Sequence, residues 1–226
     1  MLTSTQHEAE ERIARYLGRL ADGTAGRKAQ YFVESIASAW APELKSGLGR
    51  TRWHVEPTVE DVATVAKEAA PDRPTPLRVA ALAALAQAGD HAHGSASAEA
   101  VRAGLADGER RVRLAAARAA AEAKLGDVIG RELRNVLADD VWAVRWHAAR
   151  GLVARAYDAE LGALARMLVT TTPRGGMSLT AWAQAVGALR PRCRVAGQGA
   201  ALDAHVTQTF AQLSARDRDF AWPLWR

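Results

Sequence analysis

Cysteine, long apolar runs and alternating β-type patterns are scarce or missing in this chain of 226 residues. The one cysteine, Cys193, cannot form an internal disulfide, which favours a reducing compartment and predicts a cytoplasmic location. No apolar run reaches the length of about eighteen residues that a membrane span needs, so a soluble protein is expected. The N-terminus also lacks a basic stretch followed by an apolar one, so it does not resemble a secretory signal.

Lysine is also rare, with only 4 of the 30 basic residues, and the net charge is +5. The excess of positive charge is uneven along the chain. Residues 57–172 contain fifteen basic and fifteen acidic side chains, whereas residues 173–226 contain seven and three. A chain that neutralises many phosphates should carry its charge along the binding surface. The basic balance is therefore weak evidence for nucleic-acid binding.

Apolar residues and alanines recur with helical spacing, which predicts an all-α protein. Three parts are predicted: residues 1–56, a helical pair with a linker from 42; residues 57–172, a set of repeats; and residues 173–226, a degenerate repeat and C-terminal cap. Two further breaks are expected, a connector at 170–178 and a loop at 190–199, because both segments combine glycine with proline.

An internal repeat supports the fold prediction. Residues 101–120 align with residues 133–152 without a gap, and nine of the twenty positions are identical. The shared residues include an aspartate in a Leu-Ala-Asp segment and three arginines in register. One such unit cannot bury its own apolar face, whereas stacked units bury a continuous core.

The pattern of a helix, a Leu-Ala-Asp turn and a second helix with Val-Arg-x-x-Ala-Ala resembles the HEAT-repeat family over roughly residues 57–190. The resemblance implies a right-handed α-solenoid of about five helix pairs, with an atypical N-terminal pair and a C-terminal cap. The family includes scaffolds, transport factors, subunits of larger assemblies, chromophore lyases and DNA glycosylases. A protein-binding, non-catalytic adaptor or scaffold subunit is the expected function, and a nucleic-acid-binding protein is the alternative.

Arg78, Arg113 and Arg145 occupy the same position in successive repeats. The resemblance implies that they pair with the turn aspartates of adjacent repeats, such as Asp107 and Asp139, in a structural ladder. The alternative is a row of guanidinium groups that binds an acidic partner or phosphates.

Arg118 and Arg150 form a second aligned pair, five residues further along each helix. At about 100° per residue this pair lies roughly 140° away from the first row, so both rows cannot serve one ladder. Arg118 and Arg150 are therefore candidates for an exposed binding stripe, with a solvated face as the alternative.

Trp142 and Trp146 lie on one helical face, and the other repeat has no tryptophan there. They either fill the core or anchor a partner, because tryptophan and arginine dominate binding hot spots. With Arg145, His147 and Arg150 nearby, this segment is the main candidate for a binding centre.

A second basic cluster combines Arg190, Arg192 and Arg194, which surround Cys193. It is a candidate contact for nucleic acid or an acidic protein segment, or else a solvated loop. The flanking cations would lower the pKa of the thiol and make it reactive, although no catalytic cysteine signature is present, and an incidental thiol is the alternative.

The glycosylase alternative would use concave tryptophans with an acidic residue. Trp142, Trp146 and Trp182 with Asp139 or Asp140 could provide that set, although no specific glycosylase motif matches. A metal site at Asp90, His91 and His93 lacks a second ligand cluster, so this segment is interpreted as a solvated loop. No phosphate-binding, nucleophile or paired-carboxylate motif is present, so no cofactor is expected and a binding module is favoured over an enzyme.

Overall fold

A computed structural model describes residues 4–41, 54–153, 158–169 and 179–212. Within these ranges the regular structure is entirely helical, which confirms the all-α prediction. The α-helices are α1 (Ser4–Ala21), α2 (Ala29–Trp40), α3 (Val59–Lys67), α4 (Thr75–Gln87), α5 (Ser95–Leu105), α6 (Arg110–Glu122), α7 (Gly126–Asn135), α8 (Trp142–Leu152), α9 (Asp158–Val169), α10 (Leu179–Val195) and α11 (Gly199–Gln212). None of the helices in these ranges is long and apolar enough to cross a membrane.

Local sequence sets the start of α3. The N–H of Asp61 donates to Oγ1 of Thr58 at 3.2 Å, and the N–H of Thr58 donates to Oδ2 of Asp61 at 2.9 Å. This reciprocal capping box satisfies two backbone donors at the helix start and favours the negative charge of Asp61 there. Thr58 is therefore the N-cap residue that fixes the start of α3 at Val59.

The chain divides into two compact units, residues 1–148 and residues 149–226, and the division falls inside α8. In the first unit α1, α3, α5 and α7 contact one another in chain order, and α2, α4 and α6 do the same. Consecutive helices also pack as pairs, α1 with α2, α3 with α4 and α5 with α6. The described helices of this unit thus form two layers around a core of alanine, valine, leucine and isoleucine.

Small residues allow the helices around α5 to approach closely. A Cβ atom built on Gly104 would lie 2.8 Å from Cβ of Ala116 in α6 and 3.1 Å from Cδ1 of Leu82 in α4. Both neighbours are fully buried. Gly104 is therefore the residue that lets α5 pack against its neighbours at this distance.

In the second unit α9, α10 and α11 all contact one another. The predicted loop at 190–199 is wrong for its first part, because α10 continues to Val195 with Pro191 inside it. Val186, Leu189 and Cys193 are all fully buried, so one apolar face runs past the proline. That burial offsets the hydrogen bond that proline removes from the helix.

Both predicted linkers lie mainly beyond the described residues. Of the segment 42–56 the structure describes residues 54–56, and it describes none of the connector at 170–178. The three-part division of the sequence therefore stays a prediction.

Candidate functional site

The turn that precedes α6 is built around the carboxylate of Asp107. Its Oδ1 accepts the N–H of Glu109 at 2.8 Å, and its Oδ2 accepts Nη1 of Arg78 from α4. Arg113 reaches back along its own helix and donates through Nη1 to the carbonyls of Asp107 and Gly108, both at 3.1 Å. One aspartate and two arginines thus fix this turn.

The turn that precedes α8 repeats this plan thirty-two residues later. Oδ1 of Asp139 accepts the N–H of Val141 at 2.7 Å, and Oδ2 accepts Nε of Arg113 at 2.7 Å. Arg145 donates through Nη1 to the carbonyls of Asp139 at 2.6 Å and Asp140 at 3.1 Å. Nη2 of Arg113 also donates to Oδ1 of Asp140 at 2.6 Å.

These contacts confirm the structural ladder for Arg78 and Arg113, each of which joins the aspartate of the following turn. Burial acts most strongly on Asp139 and opposes its ionisation, yet hydrogen bonds from Arg113 and from the N–H of Val141 lower its pKa below the usual range. The hydrogen bond to Asp139 likewise raises the pKa of Arg113. Arg145 bonds its own turn, and the turn that would follow it lies outside the described residues.

The tryptophans of α8 differ in exposure. Trp146 is 0% exposed, and its ring meets the imidazole of His147 edge to face at 5.0 Å. Trp142 is half-buried, with its ring centroid 6.5 Å from that of Trp146. A fully buried indole offers no surface to a partner, so the structure favours the packing interpretation for Trp146. Trp142 and His147 keep part of their surface exposed.

Arg118 is exposed on α6, as a binding stripe requires. It lies seven residues after Arg111, so both project from nearly the same face of the helix. Arg150, its counterpart in the sequence repeat, is half-buried in the second unit.

The cluster at the end of α10 is partly engaged within its own unit. Nη1 of Arg192 donates to the carbonyl of Val153, Arg190 is half-buried, and Arg194 is exposed. Cys193 is fully buried, and this burial raises the pKa of its thiol although Arg192 acts in the opposite direction. The thiol is therefore less reactive than an exposed one, and Arg194 is the most accessible of the three arginines.

An open groove of about 430 Å³ crosses the layer formed by α2, α4 and α6. Its floor consists mainly of small apolar side chains on α4, and its polar residues lie towards α2 and α6. The lining residues are Gln30, Glu34, Ala37, Thr75, Pro76, Val79, Ala80, Ala83 and Arg111. A groove of this size can accept one or two apolar side chains of a ligand. The sequence interpretation did not identify it, because alanines that line a surface groove cannot be distinguished by type from alanines in the core.

A second concavity, which we call the basic hollow, lies between α1 and α2 and measures about 520 Å³. It is lined by Arg12, Arg15, Tyr16, Arg19, Lys28, Tyr31 and Phe32. The sequence interpretation missed this site because residues 1–56 are nearly neutral in total. The spacing of the residues could have indicated this site, since the arginines of α1 recur on one helical face beside a tyrosine.

Stacked rings form the wall of the basic hollow. Tyr16 stacks on Phe32 with ring centroids 4.5 Å apart, and Tyr31 meets Tyr16 edge to face at 6.1 Å. The guanidinium of Arg19 lies 5.3 Å from the ring centre of Phe32, and its Nη2 donates to the carbonyl of Thr24 at 3.0 Å. Burial, followed by a hydrogen bond with Tyr31, raises the pKa of Tyr16.

The other sequence candidates are placed as follows. Residues Gly89–His93 form a short 3₁₀ helix, in which Nε2 of His91 lies 3.3 Å from Oε1 of Glu56. Within the described part of the chain no group of three or more metal-ligating side chains comes together. Of the residues considered for a glycosylase, Asp139 and Asp140 both bind Arg113, and the side chain of Trp182 lies outside the described residues.

Comparisons with protein-family models, curated proteins and solved structures found no match to this chain. The HEAT resemblance therefore rests on the internal repeat and on the contacts that the two repeated turns share.

Proposed function

We propose that this chain is a HEAT-like α-solenoid of about five helix pairs that acts as a non-catalytic adaptor or scaffold subunit in the cytoplasm. Its binding surface for a protein partner is the groove across α2, α4 and α6. The observation that carries this proposal is the apolar floor of that groove on α4, between α2 and α6 of the same layer. Solenoid proteins use extended surfaces of this kind for binding.

The alanines of the groove determine what can enter it. Ala37 and Ala83 are not fully buried, and Ala80 lies beneath them at the core boundary. Because these side chains are short, an apolar side chain of a partner can reach close to the helix backbone and bury its area there. A short amphipathic segment with one or two apolar anchors fits this space.

Charged residues at the two sides of the groove would determine the orientation in which such a segment binds. Glu34 is exposed on the α2 side, where Nε2 of Gln30 donates to its Oε1 at 2.8 Å. Arg111 lines the α6 side and is exposed, and Arg118 is exposed about two turns further along α6. A bound segment should therefore carry a basic residue towards α2 and an acidic residue towards α6, because complementary charges set the orientation of binding.

Selection of displayed random peptides of about twelve residues on the intact protein tests this proposal. The selected peptides should share an apolar anchor, and synthetic copies should bind at least about tenfold more weakly to Ala83→Trp, which fills the groove. Ala103→Trp is the matched control, because Ala103 is an exposed alanine on α5, in the other layer. Peptides that bind Ala83→Trp as tightly as wild type would contradict the proposal.

A further inference from the structure

The basic hollow between α1 and α2 has a lining unlike that of the apolar groove. Among the described residues that line it, four are cations and none is acidic. Tyr31 is 58% exposed, although an aromatic residue of this size usually buries most of its surface. Cations beside an accessible ring form a surface that attracts phosphate and offers a face for stacking.

The stacked rings also hold one of the cations, Arg19, in place. Phe32 is buried, its ring stacks on that of Tyr16, and the guanidinium of Arg19 lies over the Phe32 ring. Arg19 is further fixed by its hydrogen bond to the carbonyl of Thr24. Arg12 and Arg15 project from the same helix and are exposed, so their guanidinium groups remain available to a ligand.

The spacing of these cations fits a nucleic-acid strand. Arg12 and Arg19 are seven residues apart on α1, which corresponds to roughly 10 Å along the helix axis. One strand of a stacked duplex rises about 3.4 Å per nucleotide and an unstacked strand is more extended, so this distance spans at most about three nucleotides. Lys28, the residue just before α2, adds a fourth cation.

We propose that the basic hollow binds single-stranded nucleic acid, with phosphates on Arg12, Arg15, Arg19 and Lys28 and one base stacked on Tyr31. A duplex keeps its bases stacked on one another, so it cannot place a base on this ring. An acidic peptide would satisfy the cations but would leave the exposed ring without a partner. Single-stranded nucleic acid uses both features.

Fluorescence anisotropy with a labelled oligothymidylate of about twelve nucleotides tests the proposal on the intact protein. Binding should weaken by roughly 50-fold between about 50 and 200 mM KCl, because each of about four phosphate contacts contributes a slope near −0.7 on a single strand. A labelled duplex of the same length should bind more weakly at both salt concentrations.

Two charge variants separate this site from the general positive charge of the chain. Arg12→Gln with Arg15→Gln should lower the affinity about tenfold and reduce the salt slope by about 1.4. Arg110→Gln with Arg131→Gln removes the same charge from two exposed positions outside the hollow and should change the affinity less than about twofold. Equal losses in both double variants would overturn the proposal, as would undetectable binding of the oligothymidylate at low salt.

Variants of Tyr31 separate nucleic acid from an acidic protein segment. Tyr31→Ala should weaken oligothymidylate binding about tenfold, whereas Tyr31→Phe should retain it, because stacking needs the ring and not the hydroxyl. A labelled oligoglutamate peptide is the competing probe. If that peptide binds at least as tightly and is unaffected by Tyr31→Ala, the hollow is a site for acidic protein and the proposal is wrong.

Discussion

The turn before α6 and the turn before α8 share one hydrogen-bonding plan but differ in the number of carboxylates. In both, an aspartate accepts the N–H two residues later, and an arginine six residues later donates to the turn carbonyls. The residue after the aspartate is Gly108 in the first turn and Asp140 in the second. The groups that hold the backbone are thus repeated, whereas the exposed position varies.

Arg113 differs from the other ladder arginines because the described contacts connect it to both turns. It donates to the carbonyls of its own turn and to the carboxylates of Asp139 and Asp140 in the next. Arg78 donates a hydrogen bond to Asp107 in the following turn, and Arg145 donates to a carbonyl of its own turn. The comparison therefore identifies Arg113 as the residue on which the register of the two repeats depends most.

Arg113→Ala should cause the largest loss of stability. The side chain is 16% exposed, and its removal leaves Asp139, which is 6% exposed, without its partner. Loss of one member of a buried ion pair costs about 4 kcal/mol, measured as the change in the free energy of unfolding in urea. Arg118→Ala on the exposed face of the same helix is the control and should cost less than about 0.5 kcal/mol. Similar costs for the two variants would contradict the ladder.

Asp139 and Asp140 both bind Arg113, yet they should contribute unequally to the free energy of unfolding. Asp139→Asn keeps an oxygen for the N–H of Val141 but removes the buried charge, so a loss of about 2 kcal/mol is expected at neutral pH. Asp140 is 83% exposed, and Asp140→Asn should cost less than about 0.5 kcal/mol. Urea unfolding of both variants beside wild type measures the difference.

The pH dependence of the same pair sharpens this test. The pKa of Asp139 is lower in the folded chain than in the unfolded chain, where it is about 3.9. The stabilisation is therefore complete above about pH 4 and is lost as the pH falls through the folded pKa. The stabilities of wild type and Asp139→Asn should begin to converge below about pH 4 and should become equal once the pH is below the folded pKa of Asp139. A difference that is still undiminished there would show that the carboxylate charge is not its cause.

The ladder was predicted because the HEAT resemblance implies that the aligned arginines pair with the turn aspartates, and an offset of thirty-two residues preserves both. The groove and the basic hollow were not predicted, because each is formed by side chains from separate helices. The sequence alone does not show which helices lie next to one another. The continuation of α10 through Pro191 was missed for a related reason. The sequence shows that Pro191 disfavours a helix locally. It does not show the burial of Leu189 and Cys193, which arises from tertiary packing and outweighs that effect.

The two repeats also differ at Gly104, which aligns with Val136. In the second copy α7 ends at Asn135, so Val136 lies outside the helix. A larger side chain is therefore tolerated at this position. Gly104→Ala should destabilise the chain by about 1 kcal/mol, because the clash with Ala116 exceeds the gain in helix propensity. Gly18→Ala in α1, where an added Cβ would meet no atom within 4 Å, should instead stabilise it by up to about 1 kcal/mol. Thermal unfolding of both variants compares the signs.

The smallest expected effect comes from making the first turn resemble the second. A Cβ atom added to Gly108 would meet no other atom within 4 Å, so Gly108→Asp would place a second carboxylate near Arg78, as Asp140 stands near Arg113. The free energy of unfolding should rise by about 0.5 kcal/mol, in part because aspartate allows the unfolded backbone fewer conformations than glycine does. Gly108→Asn separates the two contributions, since it restricts the backbone without adding charge. If both variants raise the melting temperature equally, the second carboxylate adds nothing, and the difference between the two turns is one of sequence without an energetic consequence.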